Sequence, residues 1–322
     1  MAVPNTRAGR RIAGRLEQRA TPGAAARTGV AAARRRARAA IPPAGLRGKR
    51  SEEKVSKRIE GIGLADVRAV YEGVEGDLWE LVMGQQIHIG GFLSSMDLAD
   101  RAGISAGQRG VDLCCCNGAG ARFLVRFRGV ARVVGVDATR KVLERGRERN
   151  RAEGLDDRIE LIEADACWTP LPDAQADFVW GEDAWCYVAD KERLIGEAAR
   201  LVRPGGTIAF TDWVEGPAGL REDEAVRLLR FMKFPSIEDI QGYRRLLEDH
   251  GCQVIDASDT GRFAGYIDLY REMVDKQLMY DALRILDYDL EKMAAMATDF
   301  EFLAQLGHQG KLVQARFVAR KR

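Results

Sequence analysis

The stretch Asp112-Leu-Cys-Cys-Cys-Asn-Gly-Ala-Gly120 places a carboxylate at the mouth of a turn built from small residues. Residues 111–115 before it read as a short buried strand, and residues 119–129 after it as a helix. Gly118 and Gly120 let the backbone approach a ligand, and the start of the helix offers free N–H groups. Taken alone, such a turn is equally an ordinary strand-to-helix connection. Its surroundings add chemistry. Asp137 stands at the end of the next strand, 17 residues after Gly120. An acid there can accept hydrogen bonds from both hydroxyls of a ribose. Asp165-Ala166 follows the third strand and can meet an adenine amino group. Gly181-Glu182-Asp183 ends the fourth strand, and Arg203-Pro204-Gly205-Gly206 precedes the fifth. A nicotinamide dinucleotide would call for a third glycine, but that position is Phe123. An acid at the loop entrance suits an amino group, such as the α-ammonium of methionine, better than a pyrophosphate.

These positions require an α/β scaffold. Residues 131–136, 158–163, 178–180 and 207–211 read as further strands. Residues 139–153 and 190–202 read as the helices between them, the second stopped by Pro204-Gly205-Gly206. Short alternation of strand and helix argues for a parallel sheet covered on both faces. A helix over 236–250, a strand over 252–257, a helical stretch over 265–306 and a strand over 311–319 complete the pattern. Three parts are expected. Residues 1–56 form an Arg/Ala-rich extension without a fold, and 57–107 a helical lid. Residues 108–322 form the main domain, with insertions at 213–240 and 263–306 over the carboxyl ends of the strands.

With these motifs in order, residues 111–213 resemble the class I S-adenosylmethionine-dependent methyltransferases. The resemblance implies a Rossmann-like sheet of seven strands with the last antiparallel, helices on both faces and helical lid segments. It implies S-adenosylmethionine as the cofactor, held by Asp112, Cys114, Cys116, Asn117, Gly118, Gly120, Asp137, Ala138, Asp165, Ala166 and Glu182. The family usually has glycines where this chain has Cys114 and Cys116, and a Cβ makes positive φ costly there. Gln85-Gln86-Ile87-His88-Ile89-Gly90-Gly91 and Val179-Trp180-Gly181-Glu182-Asp183-Ala184 are similar to segments of the sarcosine and dimethylglycine N-methyltransferases.

Methyl transfer from a sulfonium needs positioning and exclusion of water more than strong acid–base chemistry. An amine acceptor must still lose a proton. His88, Asp183 and Tyr187 are the candidates for that task, although a histidine here can equally be a structural hydrogen-bonder and Asp183 a helix cap. Trp185, Trp213, Phe231 and Tyr266 are candidates for the acceptor pocket, the two tryptophans because they are expected beyond strand ends, where aromatics can cage a cation.

The formal charge of +2 conceals a division. Residues 1–50 hold twelve Arg and one Lys against Glu17 alone, a balance of 13 − 1 = +12, so the remainder carries 2 − 12 = −10. The basic head admits a nucleic-acid arm, a transit peptide or an unstructured tail. It has no apolar core of the kind a secretory signal needs. The six cysteines lack metal or disulfide spacing and read as free thiols, with no metal expected. The expected protein is a cytoplasmic enzyme with a small-molecule acceptor, an amine nitrogen in first place. No membrane contact is expected. The alternatives are a nucleic-acid methyltransferase and a cofactor-binding regulator without catalysis.

Overall fold

A computed structural model describes residues 57–322; the expectations for 1–56 lie outside the described residues. In chain order, the first elements are β1 (Lys57–Arg58), α1 (Leu64–Glu72), α2 (Val74–Met83) and α3 (Gly91–Ala102). The strand–helix alternation follows: β2 (Arg109–Leu113), α4 (Ala119–Phe127), β3 (Arg132–Asp137), α5 (Arg140–Ala152) and β4 (Ile159–Glu163). Then come β5 (Ala176–Glu182), α6 (Lys191–Leu201), β6 (Val202–Glu215), α7 (Glu222–Met232) and β7 (Ser236–Ile237). The chain closes with α8 (Ile240–Asp249), β8 (Cys252–Asp259), α9 (Phe263–Met273), α10 (Met279–Ile285), α11 (Leu290–His308) and β9 (Leu312–Lys321).

Seven strands form one sheet in the order β4-β3-β2-β5-β6-β9-β8. β2, β3, β4, β5 and β6 run parallel, and β9 is antiparallel to both β6 and β8. Side chains alternate between the faces, as the strand period of two demands. Val179, Ile208, Phe210 and Phe317 pack with Leu194, Ile195 and Tyr243 of α6 and α8. Phe178, Trp180, Ala209 and Val318 pack on the other face with Leu98, Phe123, Leu124 and Leu143 of α3, α4 and α5. Successive strands are added outward from β2 through β3 to β4, then from β5 through β6. The winding direction reverses between β2 and β5, and ligands of open α/β sheets bind at the carboxyl ends beside such a reversal.

Two expectations are corrected. The helix foreseen over 236–250 begins only at Ile240, because Asp239 accepts from the Gly242 N–H at 2.7 Å and caps it. Ser236 and Ile237 before it are extended and pair with Lys57 and Arg58. The fifth parallel strand, read as 207–211, is the longer β6, paired with β9 through Glu215. The insertion foreseen from 213 therefore starts after β6. It and α9–α11 bury a separate apolar cluster that includes Trp213, Phe234, Phe263, Phe302 and Leu303.

Candidate active site

A cleft of about 260 Å³ lies at the ends of β2, β3, β4 and β5. Its walls include Asp112, Cys114, Cys116, Asn117, Gly120, Asp137, Ala138, Asp165, Ala166 and Glu182. Gly118, the remaining residue expected there, is not in the wall; it precedes α4 at φ +72°.

Two carboxylates face each other across the reversal point. Asp112 comes from β2 and Glu182 from β5, and between them Gly120 has no side chain. A Cβ there would stand 3.0 Å from Asp112 Oδ2 and 3.3 Å from Glu182 Oε2. Burial pushes the Asp112 carboxyl well above the usual carboxylate range. Glu182 and Asp137 push it further, and only the Ala121 backbone N–H pulls the other way. The trough therefore suits a cation, and an α-ammonium beside a sulfonium meets that requirement. Asp137 is half-buried; its carboxylate accepts from the Cys116 and Thr139 backbone N–H groups, each at 2.8 Å. Burial raises its pKa against those bonds. Asp165 accepts from the Cys167 N–H at 2.8 Å. At the cleft's rim, the Arg193 guanidinium stacks on exposed Trp168, 3.5 Å from the ring centre.

Cys114 and Cys116 take φ of +61° and +49°, the left-handed conformation that glycine holds most cheaply. The substitution from glycine thus leaves the turn's shape in place at a steric cost of about 1 kcal/mol or more per residue. The Cys116 N–H is already bound to Asp137, so this part of the loop is braced by an acid of the neighbouring strand. All six cysteines are free thiols. Burial pushes Cys114, Cys115 and Cys116 up, and Cys167 to about 12, so none is a ready thiolate. Cys114→Gly and Cys116→Gly are expected to keep ligand affinity and to change stability by no more than about 1 kcal/mol, since relief of strain offsets the entropy of the new glycine. Valine at either place, β-branched and left-handed, should cost about 2 kcal/mol in urea unfolding.

His88, Asp183 and Tyr187 stand where the cleft meets a second, smaller chamber; all three line both. Asp183 is fully engaged. It accepts from the Ile89 N–H at 2.8 Å, the Trp213 indole at 3.3 Å and Gln314 Nε2 at 2.8 and 3.0 Å. It ties the 85–91 segment to β6 and β9 and does not cap a helix. Ser95 Oγ donates its single proton to Glu182 at 2.7 Å and accepts from Gln86 Nε2 at 2.9 Å. His88 Nε2, 3.2 Å from that oxygen and 3.4 Å from Glu182, must therefore bring its own proton. His88 Nδ1 lies 3.4 Å from the Ile89 carbonyl. The imidazole thus braces Glu182. Burial raises the Tyr187 phenol, so it stays protonated near neutrality and can donate but not abstract. Its ring meets Tyr71 of α1 edge-on at 5.7 Å.

The smaller chamber is lined by Tyr71, Trp79, Met83, Ile87, His88, Asp183, Tyr187, Trp213, Met232 and Phe234. Of the four residues expected to form the acceptor pocket, Trp213 alone is among them. It lies within β6 and not beyond a strand end. Trp185 is fully buried, stacks on Phe210 at 4.1 Å and donates to the Leu113 carbonyl. It is core, because the turn after β5 folds back beneath the sheet's end. Phe231 and Tyr266 pack in the cluster of α7, α9 and α11 and reach neither cavity. Tyr71, Ser95, Arg122 and Gln314 escaped the sequence reading. Buried Arg122 holds the Asn117 carbonyl at 2.7 Å and Gln85 Oε1 at 3.1 Å, joining the turn to the lid. Gln314, with Arg316 one of two buried polar residues in the otherwise apolar run 312–319 of β9, left a visible signal.

The sheet order, the antiparallel last strand and the acid-lined cleft define the Rossmann-like fold of the methyltransferases. Residues 111–210 match the family model described as a methyltransferase domain. The methyltransferase GfsG of Streptomyces halstedii is 33% identical over 51% of this chain and 59% of its own length. The sarcosine/dimethylglycine N-methyltransferase of Halorhodospira halochloris is 27% identical over 64% of this chain and 78% of its own. The chain spans about three fifths of the length of curated relatives such as the first. The Haemonchus contortus phosphoethanolamine N-methyltransferase 2, solved with phosphomonomethylethanolamine and S-adenosylhomocysteine, superimposes with a TM-score of 0.70 at 21% identity. That match covers 79% of this chain and 58% of that one. Among the described residues no helix is long and apolar enough to cross a membrane.

Proposed function

We propose that the protein transfers a methyl group from S-adenosylmethionine to a small-molecule acceptor. The observation that carries this reading is the buried, cation-seeking pair Asp112 and Glu182 across Gly120, set in a methyltransferase domain. In this reading the pair and the 114–120 turn receive the methionine end. Asp137 accepts from the ribose hydroxyls, and Asp165 with Ala166 flanks the adenine. When bound, S-adenosylmethionine supplies a methyl group already activated on sulfur. The chain's own contribution is to hold the acceptor in line and keep water out. His88 and Asp183 are then positioning residues, the first for Glu182 and the second for the lid. The Tyr187 phenol donates to the acceptor or fixes its orientation.

The N-methyltransferases among the relatives favour an amine nitrogen, which must arrive neutral because both nearby carboxylates are engaged. A nucleic-acid acceptor rests only on residues 1–50, which lie outside the described residues. The test pairs calorimetry with S-adenosylmethionine and incubation of the labelled cofactor with a cell extract, reading the product by mass spectrometry. Binding with label transferred to a low-molecular-weight product is the expected result. Label in RNA or DNA, or binding with no transfer to any pool, would replace this reading with one of its alternatives.

A further inference from the structure

Resting on the methyl-transfer reading, we infer that Arg122 is a positioning residue: it locks the lid residue Gln85 to the 114–120 turn, so that cofactor binding and ordering of the lid segment are one event. Arg122 lies in the first turn of α4 and is 4% exposed. Its two Nη atoms carry four protons and face four oxygens from three parts of the chain. Nη1 donates to the Asn117 carbonyl at 2.7 Å and to Asn150 Oδ1 of α5 at 3.2 Å. Nη2 donates to Asn117 Oδ1 at 3.2 Å and to Gln85 Oε1 at 3.1 Å. Nε faces Glu153, just past α5, at 3.5 Å. Asn117 completes the lock, since its Nδ2 donates to the Gln85 carbonyl at 3.1 Å. Gln85 is thus held at its side chain by Arg122 and at its backbone by the turn that Arg122 fixes.

The lock has something to restrain on each side. Cys114 and Cys116 keep left-handed backbones, which persist only where the surroundings over-determine them. Gly84, immediately before Gln85, has φ +77° and nothing within 4 Å of where a Cβ would stand, so the chain has room to swing there once Gln85 is released. Asn117, Gln85, Gln86, Ile87 and His88 all line the cleft. Gln86 is tied in turn through Ser95 to Glu182. A ligand in the cleft therefore meets both the turn and the lid segment, and whatever orders one favours the other by the same factor. Lysine is no substitute, because its three protons leave from one point, whereas the planar guanidinium reaches three elements at once.

The test is a double-mutant cycle on the full chain, read as the calorimetric Kd of S-adenosylhomocysteine. Arg122→Lys should weaken binding about tenfold and Gln85→Ala about fivefold. Because both act through one lock, the double variant should bind about tenfold weaker than the wild type, not about fiftyfold. Multiplied effects, or wild-type affinity in a folded Arg122→Lys, would overturn the inference. Gln85 is exposed, so Gln85→Ala is expected to fold whether or not Arg122→Lys does. Hydrogen exchange gives that variant an independent reading. Saturating S-adenosylhomocysteine should slow exchange of the 84–91 amides about tenfold in the wild type and less than about twofold in Gln85→Ala. Equal slowing in both would overturn the inference, since a merely structural contact does not depend on ligand. Failure of S-adenosylhomocysteine to bind the wild type at all would overturn the cofactor reading, and the inference with it.

Discussion

Asp137→Ala is expected to weaken S-adenosylmethionine binding about 100-fold, read as the calorimetric Kd. Hydrogen bonds to a charged group contribute about 1.5–3 kcal/mol each, and a ribose offers this carboxylate two hydroxyls. Loss of about 2.7 kcal/mol corresponds to that factor. The fold should survive. In the structure Asp137 also holds the Cys116 and Thr139 N–H groups, and their loss is destabilising. The same side chain is buried at a cost, as its raised pKa indicates, and removing it recovers that cost. The two effects oppose, so the melting temperature should move by only a few degrees. An unchanged Kd would remove Asp137 from the ribose site.

The second expectation concerns the paired carboxylates and has opposite signs for stability and binding. Asp112→Asn and Glu182→Gln each remove one charge from a buried pair of like sign, so the ligand-free protein should melt several degrees higher. The same changes should weaken S-adenosylmethionine binding about 30-fold, or about 2 kcal/mol, because the ammonium loses a charge-assisted partner. The pH dependence follows from the raised Asp112 pKa. The folded ligand-free protein keeps this proton longer than the unfolded chain does. Its contribution to stability is therefore fully present below the ordinary aspartate pKa and is lost as pH rises to the raised value. Binding of a cation favours the ionised form, so affinity should climb over that same window with release of a proton. Asp112→Asn should flatten both slopes, and a wild-type affinity that falls with rising pH would contradict the ammonium assignment.

The strand–helix order and the places of Asp112, Asp137, Asp165 and Glu182 were legible because they depend on local periodicity and on chain position at strand ends. The parallel sheet has one topological reversal, so acids at the ends of adjacent strands converge there whatever the details of packing. Side-chain direction after a strand is a different matter. Trp185 and Trp213 both follow apolar strand sequence, yet the turn after β5 sends Trp185 into the core, while continued pairing with β9 keeps Trp213 in a strand and turns it to the chamber.

The loop of three cysteines shows the same division. Its sequence determined a small-residue turn between a strand and a helix, with an acid at its entrance. Only the tertiary structure decided that Cys114 and Cys116 hold the left-handed φ of glycine, because Asp137 from the neighbouring strand and Arg122 from α4 fix the backbone from both sides. The facing of Asp112 and Glu182 across Gly120, and the set of aromatics around the smaller chamber, were likewise outside the sequence's reach. Asp112 is poised for a cation, and Asp183 spent on a clamp, through partners more than 60 residues away in the chain, Glu182 for the first and Ile89 and Gln314 for the second.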